Sequence, residues 1–234
     1  MIDSSMIKIK PIDNIPVHLD NEDILRKLHM DKKKGGADDV HDLVELAKSI
    51  ITPRAIYGIA YISDKGKDTV IIGSTTFTSP ILRKFATGIG RLFPYVITIG
   101  KELEEKCQSM KLLKQYCLDE IGNIALRAAR KYLENYLKSE YKITNLSSMS
   151  PGRLADWPIT EQKLLFSLFG DVEELLGVTL SESMMMLPRK SVSGVYFPTE
   201  FQFESCQLCP RERCEGRKAP YDAELAKSYS TNNS

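Results

Sequence analysis

Three of the five cysteines stand close together near the end of the chain, in the stretch SCQLCPRERCEGRKAPYD at residues 205–222. Cys206, Cys209 and Cys214 follow the spacing C-x2-C-x4-C, and two thiolates at C-x2-C spacing can reach one tetrahedral ion. Thiolates are soft ligands, so this pattern favours zinc or an iron–sulfur cluster. It predicts a metal site on these three residues. Free or reversibly oxidised thiols without a metal are the alternative that the pattern leaves open.

A closed tetrahedral site needs a fourth ligand, and all three histidines of the chain stand far away, at positions 18, 29 and 41. Cys107, Cys117, Glu215 or a water molecule could complete the site, whereas an iron–sulfur cluster on three cysteines leaves one iron open. We interpret Cys107 and Cys117, ten residues apart on a predicted helix, as small buried core residues. Basic residues around the sulfurs would offset thiolate charge, and they are Arg211, Arg213, Arg217 and Lys218.

The composition restricts the class of protein. The chain has 234 residues, of which 42% are hydrophobic and 27% charged, as in ordinary globular proteins. Its 32 Lys and Arg residues balance 31 Asp and Glu residues, so we expect neither a nucleic acid nor a membrane partner. No apolar run approaches the roughly 20 residues that span a bilayer, and the N-terminus lacks the apolar stretch of a secretory signal. We therefore expect a cytoplasmic protein with reduced cysteines.

Apolar periodicity predicts an α+β fold rather than a doubly wound sheet, because hairpins and helices do not alternate regularly. Asn21 is the predicted cap of a first helix, residues 31–36 form a predicted turn, and a second helix follows from about residue 38. AIYGIAYI and DTVIIG predict a hairpin, and YVITIG predicts a buried strand. A long amphipathic helix is expected over about 101–140, with a break near Met110. The segments LSESMMML and SVSGVYF are each predicted to be a strand.

Two stretches have the residue types of a binding site. Pro151-Gly152 can bring backbone N–H groups close to a ligand, and Trp157 stands beside Asp156, either as a ligand contact or as a core anchor. Ser191 and Ser193 alternate along a predicted strand, so both face either a cleft or an exposed edge. Neither a Ser–His–Asp arrangement nor an acid–base pair is recognisable, and we predict no catalytic side chain.

Three stretches, in order, carry a family resemblance: SPGRLADWPITEQ at 150–162, EELLGVTLSES at 173–183 and MMMLPRKSVSGVYF at 184–197. They resemble the reactivation domain at the C-terminus of cobalamin-dependent methionine synthase, in a stand-alone form with a Cys-rich tail. The resemblance implies a C-shaped α+β domain with a twisted antiparallel sheet over residues 1–204. The Cys-rich segment 205–222 follows, and we expect a flexible C-terminus at 223–234.

The resemblance also implies a function: binding S-adenosylmethionine and docking on a corrinoid (cobalamin) protein or methyltransferase, so that an inactive cob(II)alamin of the partner is reduced and remethylated. The family loop Arg-x-x-x-Gly-Tyr aligns with Ser148, Gly152 and Arg153, so the glycine is kept while the arginine and the tyrosine are replaced. The family's acid on the long helix falls near Lys131, with Glu134 one turn on. Whether S-adenosylmethionine still binds is therefore left open, and a zinc or iron–sulfur redox protein is the alternative function. The residues predicted to bind the cofactor are Ser148, Pro151, Gly152, Arg153, Trp157, Ser191, Ser193 and Tyr196.

Overall fold

The computed structural model describes residues 7–30, 37–200, 204–214, 217 and 219–229. The strands in these residues are β1 (Lys8–Ile12), β2 (Arg54–Lys65), β3 (Thr69–Ile72), β4 (Thr75–Thr78), β5 (Arg91–Thr98), β6 (Leu146–Met149), β7 (Thr179–Leu180), β8 (Met186–Leu187) and β9 (Ser191–Pro198). The helices are α1 (Asn21–Lys27), α2 (Ala37–Ile50), α3 (Pro80–Phe85), α4 (Glu102–Gln108), α5 (Leu112–Tyr141), α6 (Gln162–Ser167), α7 (Val172–Leu176) and α8 (Ala223–Tyr229). Two 3₁₀ helices lie at Ile159–Glu161 and Ser205–Leu208.

Seven strands form one antiparallel sheet in the order β4-β3-β2-β5-β9-β6, with β1 added to β2, while β7 and β8 pair separately. The last strand in the chain, β9, lies between β5 and β6, with Val96 opposite Ser193 and Ser148 opposite Tyr196. This insertion brings the residues that follow β6 next to the start of β9. The two stretches with the composition of a binding site therefore meet although they are 40 residues apart in the sequence. The prediction of an α+β fold is confirmed.

The two faces of the sheet pack against different helices, as the period-two alternation of β5 requires. Phe93, Tyr95 and Ile97 face α5, where Ala129, Leu133 and Leu137 are buried against them. Leu92 and Val96 point to the opposite face, into a core that contains Trp157 and the apolar residues of α6 and α7. Each large buried side chain of this kind contributes about 1.5–3 kcal/mol of transfer free energy. The sheet is thus held between two apolar layers.

The predicted long helix is present with its break: α4 ends at Gln108 and α5 begins at Leu112. Cys107 and Cys117 are buried in the core that α2, α4 and α5 share, as expected, and burial raises the pKa of both thiols.

The predicted N-cap of the first helix is wrong by one residue. Asp20 is the N-cap, because its carboxylate accepts the Asp23 N–H at 2.9 Å. The predicted turn at 31–36 lies outside the described residues.

One further segment differs from the prediction. LSESMMML is not one strand: β7 and β8 pair across a turn in which Met184 has φ +66°. The turn arises because Ser181 accepts the Met185 N–H at 3.1 Å through its hydroxyl, while its own backbone N–H donates to Met185 O at 2.9 Å. At the end of the described chain, Leu225 and Ala226 of α8 pack on the core that contains Trp157, and the expected flexibility of 223–234 stays a prediction. No helix within the described ranges is long and apolar enough to cross a membrane.

Candidate functional site

A cleft of about 940 Å³ opens where three chain segments meet. One wall is the loop after β6, the second runs from the β7–β8 turn into β9, and the third is the segment 205–214, which we call the cysteine segment. Pockets that bind small ligands span about 300–1,000 Å³, so the cleft is large enough for such a molecule. Its lining residues are Ser150, Pro151, Gly152, Arg153, Ala155, Ile159, Gln162, Met184, Met185, Met186, Arg189, Ser191, Val192, Ser193, Cys206, Cys209, Pro210, Arg211 and Cys214.

The loop wall depends on Gly152. Its φ is +75°, and a Cβ at this position would lie 2.7 Å from Ile159 Cδ1, so a side chain would strain the backbone and clash as well. The Gly152 N–H donates to Trp157 O at 2.7 Å, which closes the loop on itself. Pro151, Gly152 and Arg153 all line the cleft, where the sequence predicted them.

The strand wall is formed by Ser191 and Ser193, which alternate on β9 and both line the cleft, one of the two positions that the sequence left open. Ser191 Oγ lies 2.7 Å from Pro188 O and 3.0 Å from Thr98 Oγ1, and the backbone oxygen of Ser193 accepts the Ser150 hydroxyl at 2.7 Å. The last of these bonds ties the loop wall to the strand wall.

Sequence reasoning missed part of the second wall. Met184, Met185 and Met186 line the cleft together with Gln162, whose amide donates to Met184 O at 3.3 Å. The only feature of the sequence that could have indicated this wall is the run of three methionines, and such a run is equally typical of a buried strand. Arg189 also lines the cleft, and its guanidinium donates to Glu104 at 2.6 Å. Unbranched thioether side chains adapt to flat or irregular apolar ligands.

The third wall is organised by one arginine. The Arg217 guanidinium donates to the carbonyl oxygens of Cys206 and Cys209, each at 3.1 Å, and to Arg211 O. Its backbone N–H donates to Cys214 O at 3.1 Å. One residue therefore binds the main chain of all three cysteines, and all three line the cleft. Cys206 is buried, Cys209 is partly buried and Cys214 is exposed.

The predicted metal site on Cys206, Cys209 and Cys214 is not supported. Within the described part of the chain, no group of three or more Cys, His, Asp or Glu side chains is arranged to hold an ion. Cys107 and Cys117 belong to a helical core and do not line the cleft, so neither serves as a fourth ligand there. Glu215, the other protein ligand considered, and Lys218 lie outside the described residues.

Ser148 and Tyr196 lie behind the cleft instead of lining it. Arg130 of α5 donates to Ser148 Oγ at 2.6 Å and accepts the Tyr196 hydroxyl at its backbone oxygen at 3.3 Å. The Tyr196 ring stacks on Tyr95 at 4.5 Å, and burial raises the pKa of Tyr196 well above its usual value. Gly194 permits this packing, because a Cβ there would lie 2.5 Å from Met149 O. The two predicted site residues are thus parts of a buried polar cluster that supports the strand wall.

Trp157 is the core anchor, not a ligand contact. It is 0% exposed and meets Phe77 edge-to-face at 6.3 Å. Its contribution to the cleft is the backbone oxygen that accepts the Gly152 N–H.

Glu134 on the long helix α5 does not line the cleft. Its carboxylate is buried and ion-paired with Lys131 and Lys138, so it does not supply an acid to the cleft.

Comparisons with known proteins agree with the resemblance seen in the sequence. Residues 134–209 match the family described as the activation domain of vitamin B12-dependent methionine synthase. A solved structure, that of the MetH reactivation domain bound to AdoHcy, shares the fold with a TM-score of 0.57, at 14% sequence identity, over 86% of this chain and 82% of that one. No curated protein sequence matches the chain. The predicted resemblance is therefore confirmed, and the matched segment contains most of the cleft.

Proposed function

We propose that this chain is an accessory protein of corrinoid-dependent methyl transfer, which binds an S-adenosyl ligand in the cleft and docks on a cobalamin-carrying partner. It supports the reductive reactivation or methylation of that partner. The observation that carries the proposal is the position of the cleft. Its loop wall and its strand wall both lie within residues 134–209, the segment that matches the activation-domain family.

The lining residues fit an S-adenosyl ligand, and a structural neighbour is described as bound to AdoHcy, S-adenosylhomocysteine. Arg153 and Arg211 provide guanidinium groups for the carboxylate of the amino-acid part. Met184 and Met186 provide thioether surface for the adenine ring. When bound, S-adenosylmethionine supplies an activated methyl group, while the residues of this chain position the ligand and shield it from water.

Docking is supported by the rim of the cleft. Ile159 and Met185 line the cleft and are also exposed, so they present apolar surface at its opening. An apolar rim next to a ligand cleft is the surface that a partner would cover. In this arrangement the corrinoid performs the chemistry and the chain contributes binding and orientation.

The test is the recovery of methylcobalamin. A cobalamin-loaded methyltransferase domain, held as cob(II)alamin with a reductant and S-adenosylmethionine, is followed by its absorption spectrum with and without this chain. We expect recovery to accelerate when the chain is present. A rate that does not change would contradict the reactivation role, and titration calorimetry with S-adenosylmethionine tests ligand binding separately.

A further inference from the structure

Two arginines of the cleft have no counter-charge. Arg153 on the loop wall and Arg211 on the cysteine segment both line the cleft, and neither has an ion-pair partner within the described residues. Arg189 differs, because Glu104 binds its side chain at 2.6 Å and its backbone N–H at 2.9 Å. No acidic side chain among the described residues lines the cleft. The described lining therefore has a net positive charge, although the whole chain is nearly neutral.

Several other polar side chains of the lining are already engaged. The hydroxyls of Ser150 and Ser191 are within 2.7 Å of backbone oxygens of the protein itself, and the Gln162 amide donates to Met184 O. The rest of the surface is mainly thioether, aliphatic or thiol. A ligand is thus recognised by its apolar body and by an anionic group that the two guanidiniums reach.

We infer that the cleft selects the thioether S-adenosylhomocysteine over the sulfonium S-adenosylmethionine, an inference that rests on the proposed function. The two molecules differ only by one methyl group and by one positive charge on sulfur. Both carry the carboxylate that Arg153 and Arg211 attract, but the sulfonium adds a cation to a lining that, among the described residues, has two unpaired guanidiniums and no carboxylate. S-adenosylhomocysteine, a zwitterion without net charge, is repelled less there than S-adenosylmethionine, which has one net positive charge.

Titration calorimetry on the full chain tests this with three probes: S-adenosylhomocysteine, S-adenosylmethionine and 5′-methylthioadenosine, which lacks the carboxylate. We expect S-adenosylhomocysteine to bind about tenfold more tightly than S-adenosylmethionine, and the difference to shrink as salt screens the two arginines. Arg153→Gln and Arg211→Gln should each weaken S-adenosylhomocysteine more than S-adenosylmethionine, and together bring the ratio near one. Binding of 5′-methylthioadenosine should be unchanged by either substitution.

Arg213→Gln is the matched control, because Arg213 is an exposed arginine of the same segment that does not line the cleft. It should leave the ratio as in the unmodified chain. Equal or tighter binding of S-adenosylmethionine would overturn the inference and leave the proposed function standing. If none of the three probes binds, the proposed ligand fails, and the inference fails with it.

Discussion

Arg130 on the long helix α5 donates a 2.6 Å hydrogen bond to the hydroxyl of Ser148 on β6. Leu146 of β6 also belongs to the same buried apolar cluster as Ala129 and Leu133 of α5. Their hydrogen bond fixes the strand from which the cleft loop emerges. The Nε atom of Arg130 is buried and has no hydrogen-bond partner among the described residues.

The first prediction concerns this pair. Arg130→Met keeps the aliphatic stem but removes the donor, and we expect a loss of about 1.5–3 kcal/mol in the free energy of unfolding, as for hydrogen bonds that involve a charged group. A double-mutant cycle with Ser148→Ala, measured by urea denaturation, should give a coupling energy of about 1 kcal/mol. Additive effects of the two substitutions would show that the hydrogen bond contributes nothing.

The second prediction concerns Gly152. Gly152→Ala should destabilise the chain by more than the roughly 1–2 kcal/mol that a left-handed backbone costs an alanine, because its Cβ also meets Ile159. Gly170→Ala is the matched control: Gly170 has nearly the same φ, +73°, with no atom within 4 Å of the added Cβ. Thermal unfolding compares the two variants. In an Ile159→Ala background the cost of Gly152→Ala should fall towards that at Gly170, because the Cδ1 and Cγ1 atoms of residue 159 are removed while its Cβ, at 3.0 Å, remains. Equal costs for the single variants would refute the clash.

The third prediction concerns the cysteine segment. Arg217→Ala removes the donor that binds the carbonyls of Cys206 and Cys209, so the segment should open more easily. We expect alkylation of the buried Cys206 by iodoacetamide, followed by mass spectrometry, to accelerate about tenfold, as when local opening becomes easier by about 1.4 kcal/mol. Arg213→Ala, on the same segment, should leave the rate unchanged. A rate in Arg217→Ala like that of the unmodified chain would mean that other contacts hold the segment.

The fourth prediction is a pH dependence. Burial alone would raise the pKa of Glu134, but hydrogen bonds from Lys138 and Lys131 outweigh it and hold the pKa below its ordinary value of 4.5. Because the folded-state pKa is depressed, this stabilisation is present above about pH 4.5 and is lost as the pH falls through the folded-state pKa.

Glu134→Gln should therefore be less stable than the unmodified chain at about pH 7, and the difference should shrink at about pH 3.5. Urea denaturation at both pH values measures it. Glu140→Gln is the control, because Glu140 is exposed and lies 3.7 Å from Lys10, so its effect should be small at either pH. A stability difference at Glu134 that is independent of pH would contradict the assigned ion pairs.

Local patterns predicted the elements better than the site. The predicted break near Met110 is present between α4 and α5, and the hairpin of β2 and β3 followed from two β-rich runs around a turn. These features depend on neighbours in the sequence. The split of LSESMMML into β7 and β8 depends on a side-chain hydrogen bond of Ser181, which no periodicity reveals.

At the site, Gly152, Arg153 and Ser193, all named from the sequence, line the cleft. Tyr196 lies three residues from Ser193 on β9, so strand alternation puts the two side chains on opposite faces. The burial of Trp157 depends on packing that the sequence does not show. An aromatic residue beside a glycine loop has the same sequence pattern whether it contacts a ligand or anchors the core. Only packing against Phe77 and Tyr95 separates the two cases.

The graded exposure of the three cysteines has a practical consequence. Cys214 is exposed, Cys209 is partly buried and Cys206 is buried, and the segment that carries them is anchored by Arg217 and by α8. The order in which a small thiol reagent labels them therefore reports how accessible each thiol is. A ligand that enters will leave its footprint in which of the three thiols it shields.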